Sequence, residues 1–350
     1  MPFEIDYLPV DAGQRSGDAI AIRIGNLNGP REHQIVGVID GGFTTHGESL
    51  VQHINDYYHT NRLDFVISTH PDMDHIAGLS VVLEKMEVGI LMMHKPWEHA
   101  SAIKDFFKNR SLSASGLEER IEKSMQQASA LEDLALKKNI PIVEPFQGQE
   151  FYGGMIKVLG PSIEYYRVLL TQLEKCPEPI DIIKKLIGEG YLRKGDSKLI
   201  PDAPHLDLLC DDTDCTSAQN NTSTILLFNI GGQKILFTGD AGKSGLMQAI
   251  SYAENRNTSL TDLSLFDVPH HGSKHNLTSK ILSKVKAGIA VISASKESDD
   301  HPAKKVTNAL LKHGMPTFVT RGRNLLHHHQ GNLRGWGDAA GESFHNYVEE

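Results

Sequence analysis

Long apolar runs are missing from this 350-residue chain: no stretch approaches the roughly 18 to 20 residues that a membrane-spanning helix needs. The opening segment, MPFEIDYLPVDAG, lacks the basic-then-apolar layout of a secretory signal. Both absences predict a protein that does not insert into membrane and is not exported, and the expected compartment is the cytoplasm. Cysteine is scarce, and Cys176, Cys210 and Cys215 cannot pair evenly, which fits reducing surroundings. Positive charge is in deficit: 35 basic against 44 acidic residues give a formal charge of -9 and exclude a polycation that coats nucleic acid or anionic lipid. What is plentiful is histidine, at 18 residues, and neutral imidazole is the commonest metal-binding side chain.

Over roughly the first 150 residues short apolar runs alternate with helical patterns, the layout of an α/β protein rather than a bundle. Residues 19–24 and 35–39 predict a hairpin, the second run ending in Asp40-Gly41-Gly42. Leu50, Val51, Ile54, Tyr57 and Tyr58 recur at helical spacing. Residues 65–68 predict a buried strand, and Ile76, Leu79, Val82 and Leu83 share one face of the helix after it. Between about Trp97 and Gln219 charged helical patterns take over, with Leu117, Ile121, Ala128, Leu131 and Ala135 forming one stripe. This stretch reads as an insertion, with a strand at 155–159, helices at 163–173 and 182–187, and a loop at 202–219. The α/β rhythm returns from Thr224, with strands at 224–230, 234–237, 265–268, 289–292 and 318–320. Helices are expected at 244–254, 278–285 and 302–313, and His327, His328 and His329 open a stretch that resists assignment.

The sharpest chemical signal is Thr69-His70-Pro71-Asp72-Met73-Asp74-His75, placed where a predicted strand ends and a helix begins. Capping a helix needs one such polar residue, not four ligand-type side chains together. A loop at a strand's carboxyl end turns alternating residues inward, so that His70 and Asp72 reach one ion while Asp74 and His75 reach a second. Cys210-x4-Cys215, with its intervening acids, fits no standard zinc spacing and reads as a solvated loop.

The His-x-Asp-x-Asp-His spacing resembles the His-x-His-x-Asp-His motif of the metallo-β-lactamase superfamily, with Asp in place of the second His. That resemblance implies an α/β fold, a four-layer αββα sandwich, over residues 1–325, with the mainly helical insertion at about 97–219 and a tail at 326–350. It also implies that Asp240, ending the run ILFTGD, bridges two metals. Pro269-His270-His271-Gly272-Ser273 is similar to the final ligand motif; the family's Gly-His-Gly form favours His271 as ligand with His270 facing substrate, and both remain candidates. The histidine of the third motif has no counterpart, because the matching stretch reads Asn220-Asn221-Thr222-Ser223. Further runs (DAGQRSGDAIAI, VIDGG, NNTSTILLF, VPHHGS and ISASKESDDHPAKKVTNALLKHG) resemble the C-terminal hydrolase domain of the DNA-uptake channel protein ComEC and its stand-alone soluble relatives. The likeness spans about 1–96 and 219–325, and residues 13–18 widen that family's Gly-Gln-Gly-Asp turn.

The resemblance implies a metal-dependent hydrolase with two divalent ions, zinc or manganese, with magnesium a further candidate because carboxylates suit harder ions. Two neighbouring cations acidify a shared water and polarise the bond it attacks, so no protein nucleophile is required. Asp74, His301 and Lys274 are the catalytic candidates: His301 as leaving-group acid or phosphate contact, Lys274 as a point charge. Asn221, Ser223, Ser273 and Lys274 are expected on the substrate side. The first expectation is a phosphodiesterase or nuclease, although the -9 charge argues against a long strand. The alternatives are hydrolysis of a carbonyl ester, lactone or thioester by the same centre, and a protein whose metals are structural and whose insertion binds a separately encoded partner.

Overall fold

Alternation along the strands sets the architecture. In Ala19–Gly25, Ile20, Ile22 and Ile24 enter one hydrophobic cluster while Ala19 and Ala21 enter another. In Ile225–Ile230 the same period sends Leu226, Phe228 and Ile230 to the shared cluster and Ile225 and Leu227 to a third. A slip of one residue would exchange the two faces, at about 1.5–3 kcal/mol for each large side chain taken out of the core, so the register is pinned. The computed structural model describes residues 1–109, 111–173, 176–178, 199–209 and 215–349.

One sheet runs in the order Leu325–His329, Phe3–Tyr7, Ala19–Gly25, Gln34–Gly41, Phe65–Ile67, Leu91–Met92, Ile142–Val143. The other runs Thr317–Val319, Ala287–Ile292, Leu263–Asp267, Gln233–Phe237, Ile225–Ile230, Ile156–Gly160, Glu150–Phe151. Phe3, Ile22 and Phe65 of the first meet Phe228, Phe237 and Leu265 of the second in the central layer. Helices Thr44–His53 and Met73–Lys85 cover the outer face of the first sheet, joined by Ala114–Ser124 and Gln126–Lys137. Lys243–Asn255, Ser279–Lys284 and Lys304–Lys312 cover the outer face of the second. The result is the four-layer αββα sandwich.

Two local features bear on the site. At Gly78 a Cβ would stand 1.9 Å from the Gly41 carbonyl oxygen and 2.9 Å from the Gly47 nitrogen, so only glycine lets helix Met73–Lys85 lie against the end of strand Gln34–Gly41. Beneath the same sheet, Glu4 and Asp6 are buried beside arginines. Arg23 and Arg334 approach Glu4 Oε2 at 2.6 and 2.9 Å, and Arg334 and His53 approach Asp6 Oδ2 at 2.8 and 3.1 Å. Tyr58 donates to Asp6 at 2.7 Å.

The expected hairpins form: Ala19–Gly25 pairs antiparallel with Gln34–Gly41, and Ile225–Ile230 with Gln233–Phe237 through Gly231 and Gly232, both at positive φ. The insertion is less helical than its pattern suggested. Ile142–Val143 forms an edge of the first sheet, and Glu150–Phe151 with Ile156–Gly160 an edge of the second, because Ile156 and Val158 alternate into the central core. Nor is the stretch after Leu325 a tail. Leu325–His329 pairs with Phe3–Tyr7, and Tyr347–Glu349 pairs with Leu199–Pro201. Polar side chains hide that strand in the sequence, yet the rings of His327 and His329 lie 5.5 and 6.2 Å from that of Phe3. The last helix begins at Lys304 behind Ala303, not at Pro302. The expected helix over 182–187 and Cys210 with its acids lie outside the described residues.

Candidate metal centre

Parallel pairing brings several strand ends to one edge. Gln34–Gly41 runs parallel to Phe65–Ile67, and Gln233–Phe237 parallel to Leu263–Asp267, so residues that follow these strands share a rim. After Phe65–Ile67 come Thr69 and His70, then Asp72 as the residue capping helix Met73–Lys85, whose first turn carries Asp74 and His75. After Gln233–Phe237 comes Asp240; after Leu263–Asp267 come His270 and His271.

Asp240 stands at the middle. Its Oδ2 lies 3.6 Å from His70 Nε2 and 3.7 Å from His270 Nε2, while its Oδ1 lies 3.3 Å from His75 Nε2 and 4.0 Å from His271 Nε2. Asp72 Oδ2 is 3.7 Å from His70 Nε2, and Asp74 Oδ2 is 3.6 Å from His271 Nε2. Ligand atoms about 2.0–2.2 Å from one ion stand roughly 3.0–3.5 Å apart, so these separations suit cations on either side of Asp240.

The opposite ring nitrogens are all engaged. Nδ1 of His70 meets Thr69 Oγ1 at 3.0 Å, that of His75 meets Asp40 Oδ2 at 2.8 Å, that of His270 meets Asn276 Oδ1 at 3.1 Å, and that of His271 meets the Ser293 carbonyl at 2.9 Å. A carboxylate or carbonyl only accepts, so Nδ1 of His75 and of His271 carries the proton and Nε2 presents a lone pair. Yet Nε2 of His70, His75 and His271 and Oδ1 of Asp240 are buried without a hydrogen-bond partner among the described residues. Each such orphan costs about 1–3 kcal/mol. Four orphans gathered around Asp240 fit bound cations, which would satisfy them.

Two clusters of ligand-type side chains lie within 4.8 Å: Asp18, His75, Asp240 and His271, and Asp40, His70 and His75. Asp18 and Asp40, however, approach the back of the rings. Asp18 lies 3.6 and 3.9 Å from Nδ1 of His75 and His271, so it orients imidazoles and balances their charge rather than facing the Nε2 side. Asp40 also accepts from the Thr69 N–H at 2.8 Å and the Thr69 hydroxyl at 2.6 Å, which ties His70 and His75 to one carboxylate.

Charge at the centre is poised for cations. Burial would lower His75 and His271, but Asp240 with Asp40 carries His75 well above its usual value, and Asp240 with Asp74 carries His271 up to about 9. Burial would raise Asp240, but His270, His75 and His271 hold it well below the usual carboxylate range. The appetite for protons on the imidazoles is the appetite a metal would meet by displacing them.

Of the residues expected from sequence, His70, Asp72, Asp74, His75, Asp240, His270 and His271 come together. His301 is beside them, its ring 5.6 Å from that of His270 and 6.1 Å from that of His271. Burial, then His271 and His270, hold it down to about 3, so at neutral pH it is an uncharged hydrogen-bonding group rather than a proton source. Asn221 and Ser223, expected on the substrate side, are engaged with backbone. Asn221 Oδ1 accepts from the Gly242 N–H at 3.1 Å and Ser223 Oγ from the Asp240 N–H at 3.0 Å, so both buried side chains brace backbone. The neighbour that faces the centre is Asn220, whose Nδ2 donates to Asp240 Oδ2 at 3.1 Å. Ser273 is buried in the turn, its Oγ accepting from the His275 N–H at 3.3 Å. Lys274 follows it, half-buried. Asp18, Asp40, Asn220 and Asn276 were missed as site residues; the visible signals were Asp40-Gly41-Gly42 and Asp18, each beside a strand.

A family model for the metallo-beta-lactamase superfamily matches residues 36–296. The chain belongs to the metallo-beta-lactamase superfamily. Membership, with the His/Asp cluster, makes it a metal-dependent hydrolase by family. No curated protein matches. Among solved structures, a Thermotoga maritima chain described as a metallo-beta-lactamase is 9% identical with a TM-score of 0.35, covering 69% of this chain and 79% of that one. A Cronobacter sakazakii metallo-beta-lactamase with a HARLDQ motif is 9% identical with a TM-score of 0.32, covering 74% and 76%. The CmlA beta-hydroxylase is 10% identical with a TM-score of 0.43; the match covers 93% of this superfamily member but 53% of CmlA. Among the described residues no helix is long and apolar enough to cross a membrane.

Proposed function

We propose that the chain is a dinuclear metal-dependent phosphodiesterase, with one ion held by His70, Asp72 and Asp240 and the other by Asp74, His75, His271 and Asp240. The observation that carries the reading is the split of Asp240, one oxygen towards His70 and the other towards His75 and His271. Two divalent ions held there would acidify a bound water and polarise a phosphoryl oxygen. The oxygen-rich ligand set favours manganese or magnesium beside zinc.

In the reaction, water oxygen bonds to phosphorus, the ester P–O bond breaks, and the proton that the water releases passes through solvent to the leaving oxygen. His301, uncharged beside His270 and His271, serves as a hydrogen-bond contact to phosphate. The phosphodiester class is supported by the ComEC-like sequence runs.

The test is hydrolysis of bis(p-nitrophenyl) phosphate and single-stranded DNA by protein loaded with Mn²⁺, Mg²⁺ or Zn²⁺, with Asp240→Asn as control. Cleavage lost in the variant is the expected result. No phosphodiester turnover, with turnover of a lactone or thioester panel, would replace this substrate class by the carbonyl one.

A further inference from the structure

At the first ion position the superfamily member has no histidine in its third motif, and Asn220 occupies the approach. Its amide nitrogen, turned to Asp240 Oδ2, is a donor and no ligand. His270 stands next to that amide, at the same carboxylate oxygen. His270 Nε2 lies 3.7 Å from Asp240 Oδ2, the oxygen that also faces His70, and 3.5 Å from Asn220 Nδ2.

Its orientation is built into the fold. Asn276 is wholly buried, takes His270 Nδ1 on its carbonyl oxygen, and donates its amide to the carbonyls of Asp240 and Ala241, each at 3.1 Å. One side chain therefore fixes the His270 ring relative to the backbone of the central carboxylate. The backbone does the rest. His270, His271 and Gly272 have φ of 51°, 54° and 77°, and successive left-handed residues send adjacent imidazoles to opposite oxygens of Asp240. Two L-residues in that region are costly, and such strain persists where surrounding contacts hold it at a working site.

We propose that His270 is the missing ligand of the first ion. Each ion then has two imidazoles, one carboxylate of its own and one oxygen of Asp240: His70, His270 and Asp72 on one side, His75, His271 and Asp74 on the other. Asn276 is the positioning residue. The assignment rests on the dinuclear reading above.

The test is titration of chelator-stripped protein with Mn²⁺, read by calorimetry and by elemental analysis after desalting. Wild type takes up two ions, and His270→Ala keeps one at the affinity of the His271 site. Two ions at wild-type affinity in His270→Ala overturn the assignment. Fewer than two in wild type overturn the dinuclear reading and the assignment with it. Adding Asn220→His to His270→Ala restores the second ion. If His270→Ala does not fold, Asn276→Ala decides: first-site affinity falls about 10- to 100-fold while the His271 site keeps its own affinity. Unchanged affinity in Asn276→Ala overturns the assignment.

Discussion

Asp40 holds His75 from behind: Oδ2 of the one and Nδ1 of the other are 2.8 Å apart, and Asp40 itself sits in a left-handed conformation at φ 54°. The contact fixes the tautomer that presents Nε2 to Asp240. Asp40→Asn is expected to weaken metal binding about 10- to 100-fold while the protein stays folded, measured by Mn²⁺ titration alongside thermal melting. Unchanged binding would show that the tautomer is set elsewhere.

Gly78 gives a steric test of the same geometry. A methyl group there meets the Gly41 carbonyl, which is backbone and cannot swing aside. Gly78→Ala is expected to cost about 3 kcal/mol in urea unfolding and to lower metal affinity, because the displaced helix carries Asp74 and His75.

Arg334 is the cation shared by Glu4 and Asp6. Burial would raise Asp6, but His53 and Arg334 outweigh it and lower its pKa, so its contribution is present above about pH 4 and lost as pH falls through the folded value. Arg334→Met leaves buried carboxylates short of a partner and should cost about 3–5 kcal/mol at pH 7. The deficit should shrink below pH 4, where protonated acids need no cation. Unfolding of both proteins at the two pH values checks the sign.

His94 predicts acid sensitivity of a different kind. It is buried with Nδ1 unpartnered among the described residues and Nε2 3.2 Å from Thr224 Oγ1, and burial holds its pKa down to about 3. An unfolded chain takes up that proton near 6.5, so the stabilisation is complete above 6.5 and drains away as pH falls towards 3. His94→Phe should flatten the fall. Urea midpoints of metal-free protein at pH 7, 5.5 and 4.5 provide the comparison, and parallel curves would refute the role given to His94.

Much of this was legible in the chain. Apolar runs such as residues 19–24 and 224–230 announce buried strands, and a dense run such as His70 to His75 announces ligands because capping does not require it. Less visible was anything that depends on what a side chain meets across the fold. Asn221 and Ser223 look like polar site residues, yet backbone N–H groups of Gly242 and Asp240 claim them. Asn276 looks like loop filler, and its function comes from three contacts with the residues around Asp240 and His270. Leu325–His329 carries a histidine run where a strand would show alternating aliphatics, so only pairing with Phe3–Tyr7 identifies it.

That last pairing joins residues more than three hundred positions apart, Phe3 opposite His329. During synthesis the strand Phe3–Tyr7 must therefore wait with one edge bare until nearly the whole chain has emerged. Distant pairing of this kind slows folding, and a bare edge is a template for another chain. The nascent protein thus depends on Leu325–His329 to close a route to self-association that Phe3–Tyr7 leaves open.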